Sequence, residues 1–304
     1  MVATVAFRRA TIADSYATFE LFRKSLVDFM SRTGTVAAPG GTNPEEMARM
    51  WEFFGPVYDH LARTGEHFWI AERDGKAIGY ARGILRDGVR ELTEFFVLPG
   101  EQSAGVGREL LARVFPTEGA RHRVLVATSD PRALARYLKA GVYPHVSTYG
   151  FTRTPEALKV STDLQIDRVA ATPEALDITA AIDREILGYR RDVDHAWLLE
   201  RQMLFVCRRR GKVAGYGYVS KDWCGPIALL DEADFSSVLA HMENRAHALG
   251  AESVELEVPL VNRNAVDYLL RRGYRMEGWL ASIMSDVPFG RFDRYIGTSP
   301  PFFL

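Results

Sequence analysis

The turn Gln102-Ser103-Ala104-Gly105-Val106-Gly107 separates an apolar run ending in Val97-Leu98-Pro99 from the amphipathic stretch that follows. Glycines there let the backbone approach a ligand closely and leave the first amides of the next helix pointing outward. An anion seated at that end gains hydrogen bonds and the favourable pole of the helix dipole, so a diphosphate suits it. Val106, Leu110 and Val114 recur at helical spacing, which predicts a helix from about Ala104 to Phe115. In the preceding strand, about Arg90 to Val97, alternation puts Glu94 on one face with Leu92 and Phe96. Apolar company disfavours the ionised carboxylate and makes it a useful base toward an ammonium, with Glu91 in reserve. Tyr137 lies with Leu134 and Leu138 on a helical face, which on residue types alone reads as a core aromatic.

The elements that must hold these groups occur in two copies. Phe68 to Tyr80, FWIAERDGKAIGY, aligns with Leu204 to Tyr216, LFVCRRRGKVAGY, at an offset of 136 (211 − 75), each reading as strand, turn, strand. Asp130 to Val142 aligns with Asn262 to Tyr274 at an offset of 132 (273 − 141), each a helix closed by a glycine, Gly141 or Gly273. Copy one reads as a strand near Val5 to Arg8, helices at about Ile12 to Leu26 and Pro44 to Arg63, the hairpin, and the strand carrying Glu94. The glycine-started helix, a strand at Val124, a helix at Pro131 and a strand near His145 to Phe151 complete it. Strands and helices in this mixture predict an α/β (mixed α+β) fold, a twisted sheet covered on both faces. The expected division is residues 1–153 for the first domain, 154–163 for a linker, 164–290 for the second domain and 291–304 for a tail.

The Q-x-x-G-x-G turn after a V-x-P strand end resembles the signature loop of the GNAT superfamily of acyl-CoA-dependent N-acyltransferases. The helix from Asp130 is similar to that family's N-x-x-A-x-x-x-Y-x-x-x-G-[FY] segment, with Ala133, Tyr137 and Gly141 matching and Asp130 standing where the family has Asn. The resemblance implies acetyl-CoA or another acyl-CoA as cosubstrate, with its diphosphate on the amides from Gln102 through Ser103, Ala104, Gly105, Val106 and Gly107 to Arg108. Phe96 and Val97 would pair with the pantetheine amides, Asp130 and Ala133 would border the coenzyme, and Tyr137 would protonate the departing thiolate. Glu94 resembles the strand glutamate some members use as base, directly or through water, and the Val97 amide would bear the oxyanion. The acceptor is then a primary amine of a small molecule or peptide. A noncatalytic acyl-CoA-binding sensor or regulatory protein is the alternative, since it would keep the turn without needing Tyr137 or Glu94.

The acceptor pocket in this family is built largely by the first two helices and the strand after the last helix; here that region includes Phe29, Trp51, Phe53, Phe54 and Tyr58, which at helical spacing read as core more readily than as pocket. Thr33 to Asn43 is either a flap over the acceptor or a plain connection. In copy two the corresponding turn has Asp231, Glu232 and Asp234 in place of glycines, and Leu269 stands at the position of Tyr137. Like charges would repel a diphosphate, so the second copy is expected to be silent, with its four missing residues placed in that turn. Such a domain can act as scaffold, pocket cover or oligomer interface. The apolar tail ending Pro300-Pro301-Phe302-Phe303-Leu304 is expected to dock between domains or on a partner subunit.

A formal charge of −1 over 304 residues disfavours nucleic acid, which needs many basic residues on one face. No apolar run is long enough for a signal peptide or a membrane span, and two cysteines make no disulfide framework, so the expected compartment is the cytoplasm. His241 and His247 are six apart, not the three or four that shared metal ligation needs on a helix, so no metal site is predicted.

Overall fold

The computed structural model describes residues 4–33, 43–102, 105–298 and 303–304, apart from the side chain of Trp279. The expected flap over residues 34–42, Ser103 and Ala104 of the turn, and Pro300 to Phe302 of the tail therefore lie outside the described residues. The chain forms a mixed α/β fold in two compact units, one of residues 1–126 with 130–142, the other of 127–129 with 143–304.

The first unit runs β1 (Ala6–Arg9), a 3-10 turn (Ile12–Asp14), α1 (Ser15–Thr33), α2 (Pro44–Thr64), β2 (His67–Arg73), β3 (Lys76–Arg86) and β4 (Val89–Val97). It continues with α3 (Val106–Val114), most of β5 (His122–Thr128) and α4 (Pro131–Lys139). Local chemistry sets these bounds. Asn43 caps α2 by accepting from the Glu45 amide at 3.0 Å, with Pro44 in the first turn. Asp74 and Gly75 both take positive φ in the β2–β3 hairpin. Strands β1 to β4 pair antiparallel in order, and β5 joins β4 in parallel.

The register of β3 on β4 slips between Arg82 and Gly83: Arg82 faces Glu94, but Gly83 faces Leu92. Thr93 is thus the extra residue of a β-bulge. One face of β3 and β4 carries Tyr80, Arg82, Ile84, Glu91, Glu94 and Phe96 beneath α1 and α2; the Phe22 and Phe96 rings meet at 5.1 Å. The other face carries Gly79, Gly83, Leu92 and Phe95 beneath α3. A Cβ on Gly79 would lie 3.3 Å from Leu110, and one on Gly83 would lie 2.9 Å from the Val114 carbonyl. These two glycines let α3 approach the sheet closely.

The second unit contains β6 (Tyr143–Arg153), β7 (Gln165–Val169), α5 (Pro173–Ile186), α6 (Asp192–Leu199), β8 (Met203–Arg209), β9 (Lys212–Val219) and β10 (Cys224–Leu229). A 3-10 turn (Glu232–Asp234), α7 (Phe235–Ala248), β11 (Val254–Pro259), α8 (Arg263–Arg272), β12 (Arg275–Ser285) and β13 (Tyr295–Ile296) follow. The order strand, two helices, three strands, helix, strand, helix, strand thus occurs twice along the chain.

Two expectations are corrected, and compactness divides the chain differently from the repeat. The compact units divide after Val142: β6, the last strand of the first copy, is hydrogen-bonded between β11 and β12 of the second unit. The four missing residues are not lost in the turn. The bond from the Leu98 amide to the Ile78 carbonyl recurs as Leu230 to Ala214, and the span from Gly79 to its partner Val97 (97 − 79 = 18) shrinks to 14 (229 − 215) between Gly215 and Leu229. The loss falls in the β9–β10 hairpin. Finally, the tail returns into its own unit, where β13 pairs antiparallel with β10 and Phe303 and Leu304 are buried.

Candidate functional site

In an antiparallel pair, successive residues alternately turn their backbone groups toward and away from the partner. Leu98 donates its amide to Ile78, so Phe96 likewise faces β3, while the amides and carbonyls of Phe95 and Val97 point away. On that outer side, pairing with β5 stops at Leu92–Leu125, so among the described residues 93–97 leave an edge not laddered to β5. Of the two residues expected to pair with pantetheine amides, Val97 is the one whose backbone faces out; Phe96 faces inward, and Phe95 is the outward neighbour that residue alternation alone did not single out. The Val97 carbonyl accepts from Gln102 Nε2 at 3.1 Å.

The edge leads into α3. Gly105 is its N-cap at φ 78°, and the first helical bond runs from Glu109 to the Gly105 carbonyl. The amides of Val106, Gly107 and Arg108 therefore open the helix without intrahelical acceptors. A Cβ on Gly107 would meet Phe95 Cζ at 3.1 Å and Arg136 Nε at 3.3 Å. Cations gather here. Arg108 is exposed, Arg132 donates to Gln102 Oε1, and Arg136 Nη2 lies 3.5 Å from the Gln102 carbonyl. Arg132 and Arg136 were missed from sequence, although a spacing of four on a helix marks one face.

Asp130 caps α4, accepting from the Arg132 amide at 2.9 Å, and pairs with Arg32 at 2.9 Å and Arg132 at 3.1 Å. Burial alone would raise its pKa, but the hydrogen bonds from Arg132 and Arg32 bring it down to about 2. Ala133 sits half-buried one turn along. Tyr137 is buried, its ring 6.0 Å from Phe95 in an edge-on contact. Burial first, then the Asp130 charge, pushes its hydroxyl above the ordinary tyrosine range. Leu138 is 37% exposed, so the apolar face around Tyr137 is narrower than the spacing suggested.

Glu94 lies on the opposite face. Because of the bulge it does not share a face with Leu92, and its surroundings are not simply apolar: Oε1 accepts from the Tyr80 hydroxyl at 2.8 Å and Oε2 lies 3.1 Å from Arg82 Nε. Arg82, fully buried, donates to the Tyr58 carbonyl at 2.8 Å, and its guanidinium stands 4.1 Å above the Phe68 ring. Burial, then the Glu94 charge, keeps the Tyr58 and Tyr80 hydroxyls protonated. Glu91 is buried on the same face, opposite Ile84. Tyr58 and Phe29 are buried, Trp51 and Phe54 partly so, and Phe53 exposed; Phe19 links Trp51, Phe54 and Tyr58 at 5.4, 6.1 and 5.6 Å. Trp51, Phe54 and Tyr58 thus pack around Phe19 as one cluster, with Phe53 against Phe54, as core aromatics do.

In the second unit the turn before α7 is differently employed. Asp231 accepts from the Ala233 amide at 3.0 Å, and buried Asp234 pairs at 2.7 Å with Arg209, which also holds Asp163 at 2.8 Å. Leu269 is fully buried at the place of Tyr137. Among the described residues no cluster of His, Cys, Asp and Glu is placed to hold a metal, and no helix is long and apolar enough to cross a membrane.

Residues 27–142 match the sequence model of the Acetyltransferase (GNAT) family. No curated protein matches the chain. Among solved structures, the fold is similar to a Pyrococcus horikoshii protein assigned to the acetyltransferases, at 18% identity and TM-score 0.73 over 96% of this chain and 92% of that one. A GCN5-related N-acetyltransferase from Sphaerobacter thermophilus is similar at 17% identity and TM-score 0.59 over 92% and 95%. A tandem GNAT protein from the clavulanic acid biosynthesis pathway is similar at 14% identity and TM-score 0.55 over 94% and 99%.

Proposed function

We propose that this chain, which carries a GNAT-family acetyltransferase domain over residues 27–142, moves an acetyl group from acetyl-CoA to a primary amine of a small molecule or peptide by direct attack in a ternary complex. The observation that carries this is one continuous track in the first unit: the outward edge of Phe95 and Val97, then the Gly105-capped start of α3, with Arg132 and Arg136 beside it. An extended amide chain adds to such an edge as a strand would, and a diphosphate sits on helix-terminal amides flanked by guanidinium groups.

The neutral amine attacks the thioester carbonyl, and the oxyanion forms opposite the outward Val97 amide. Its collapse breaks the carbon–sulfur bond, Tyr137 gives the thiolate a proton, and the proton shed by the amine passes to Glu94. Tyr80, which donates to Glu94 at 2.8 Å, is the relay to the carboxylate. Acid and base thus serve from the two faces of one strand end. Ser103 and Ala104 complete the diphosphate turn in this reading. The second unit carries no coenzyme, which the acidic turn and Leu269 support, and it serves as scaffold or oligomer interface. The free, buried Cys207 and Cys224 suit the cytoplasm.

The ion pair of Glu94 with Arg82 favours one second reading, a noncatalytic acyl-CoA-binding regulator. Calorimetric titration with acetyl-CoA should find one site per chain, lost in a Gly105→Glu, Gly107→Glu variant; no binding would sink both readings. Turnover with a panel of primary amines then separates enzyme from regulator.

A further inference from the structure

The edge that the first unit leaves for a ligand is filled in the second unit by the chain itself. The shared register bonds make Ile227, Ala228 and Leu229 the counterparts of Phe95, Phe96 and Val97. On Ile227 and Ala228 lies β13, with Ile296 and Tyr295 as partners. β13 also contacts β11, the counterpart of β5, and here β10 and β11 are not laddered to one another at all.

The seat is built rather than incidental. Tyr295, Ile296 and Thr298 are buried. The Tyr295 hydroxyl accepts from Arg191 at 3.0 Å. Asn262, the counterpart of Asp130 (262 − 132), caps α8 with its Oδ1 and turns its Nδ2 to the Tyr295 carbonyl at 3.5 Å. A Cβ on Gly225 would fall 2.4 Å from the Gly297 carbonyl, so that glycine admits the tail backbone against β10.

We propose that residues 291–298 are the resident occupant of the second unit's coenzyme-arm groove, an internal strand standing where a pantetheine arm would otherwise add to β10. The inference rests on the coenzyme reading of the first unit. Two independent features then keep acyl-CoA out of the second: a covalently tethered strand over the arm position and carboxylates at the diphosphate position. Pantetheine, which has the amides but not the diphosphate, is the probe that separates them.

A protease recognition sequence inserted at the exposed Val287-Pro288 pair of the full chain allows the tail to be cut after folding, and a fluorescent peptide of residues 291–304 then reports exchange by anisotropy. The labelled peptide should enter at one site per chain, bind at least tenfold more weakly when it carries Ile296→Lys, and be displaced by a large excess of pantetheine. Indifference to Ile296→Lys, or to pantetheine, overturns the proposal. Should the cut tail not exchange, the full-length Ile296→Lys chain decides: its tail should become digestible, and pantetheine should bind at one more site than in the parent protein. A tail that stays protected, with no added site, overturns the proposal. Failure of the uncut protein to bind acetyl-CoA would instead strike the reading of the first unit alone, leaving the peptide and pantetheine measurements to judge the tail.

Discussion

Tyr137 and Glu94 are held in opposite ways, and their substitutions should fail differently. Burial keeps the Tyr137 hydroxyl protonated, the state a proton donor needs. Tyr137→Phe should lower kcat by about 100-fold, the lower range for a lost general acid, while leaving acetyl-CoA affinity unchanged in calorimetry. Glu94 is one half of a buried ion pair, so Glu94→Gln strands the Arg82 charge. Unfolding in urea should show a loss of about 3–5 kcal/mol, the usual penalty for removing one partner of such a pair. Stability that does not move would mean that Arg82 finds its counter-charge elsewhere. Arg136→Ala should weaken acetyl-CoA binding by about tenfold, the equivalent of one charge-assisted hydrogen bond, with kcat at saturation unaffected.

The elements around these residues show where sequence reading succeeds and where it stops. α3 and α4 were legible because apolar spacing, an opening glycine and a capping Asp each leave a mark in composition. The bulge at Thr93 leaves none. A single extra residue changes which side chains share a face without changing any residue type, so Glu94 appeared to lie with Leu92. Arg82 was invisible as its partner for the same reason, since only the register brings the two together. Phase also predicts consequence. Because Thr93 is the extra residue, deleting it should leave a regular ladder with Glu94 still opposite Arg82; the deletion should melt close to Thr93→Ala, and a much lower melting temperature would mean that the bulge itself is needed. Gly83→Ala places a Cβ 2.9 Å from the Val114 carbonyl and should cost about 1–3 kcal/mol by overpacking.

Across the molecule, the internal repeat was legible because matching hairpins and helices fix an offset, whereas strand membership was not, because pairing partners distant in sequence carry no local signal. Within the second unit, burial raises the Glu257 carboxyl pKa to about 7, while Thr148 donates to it from β6. A carboxyl held above its unfolded value stabilises the fold while protonated in both states. That contribution is complete below the unfolded value and is lost as pH rises through about 7. The melting temperature should therefore fall between pH 5 and pH 8, and Glu257→Gln should flatten the profile. The placement of β6 bears on how the chain is made. Its eleven residues leave the ribosome well before their partners in β11 and β12, the last of which is 132 residues later (285 − 153). At typical rates of synthesis that delay is roughly 7 to 26 s. During it, the nascent chain displays a strand with both edges unpaired, a surface that a ribosome-bound chaperone would have to shield until β12 has been made.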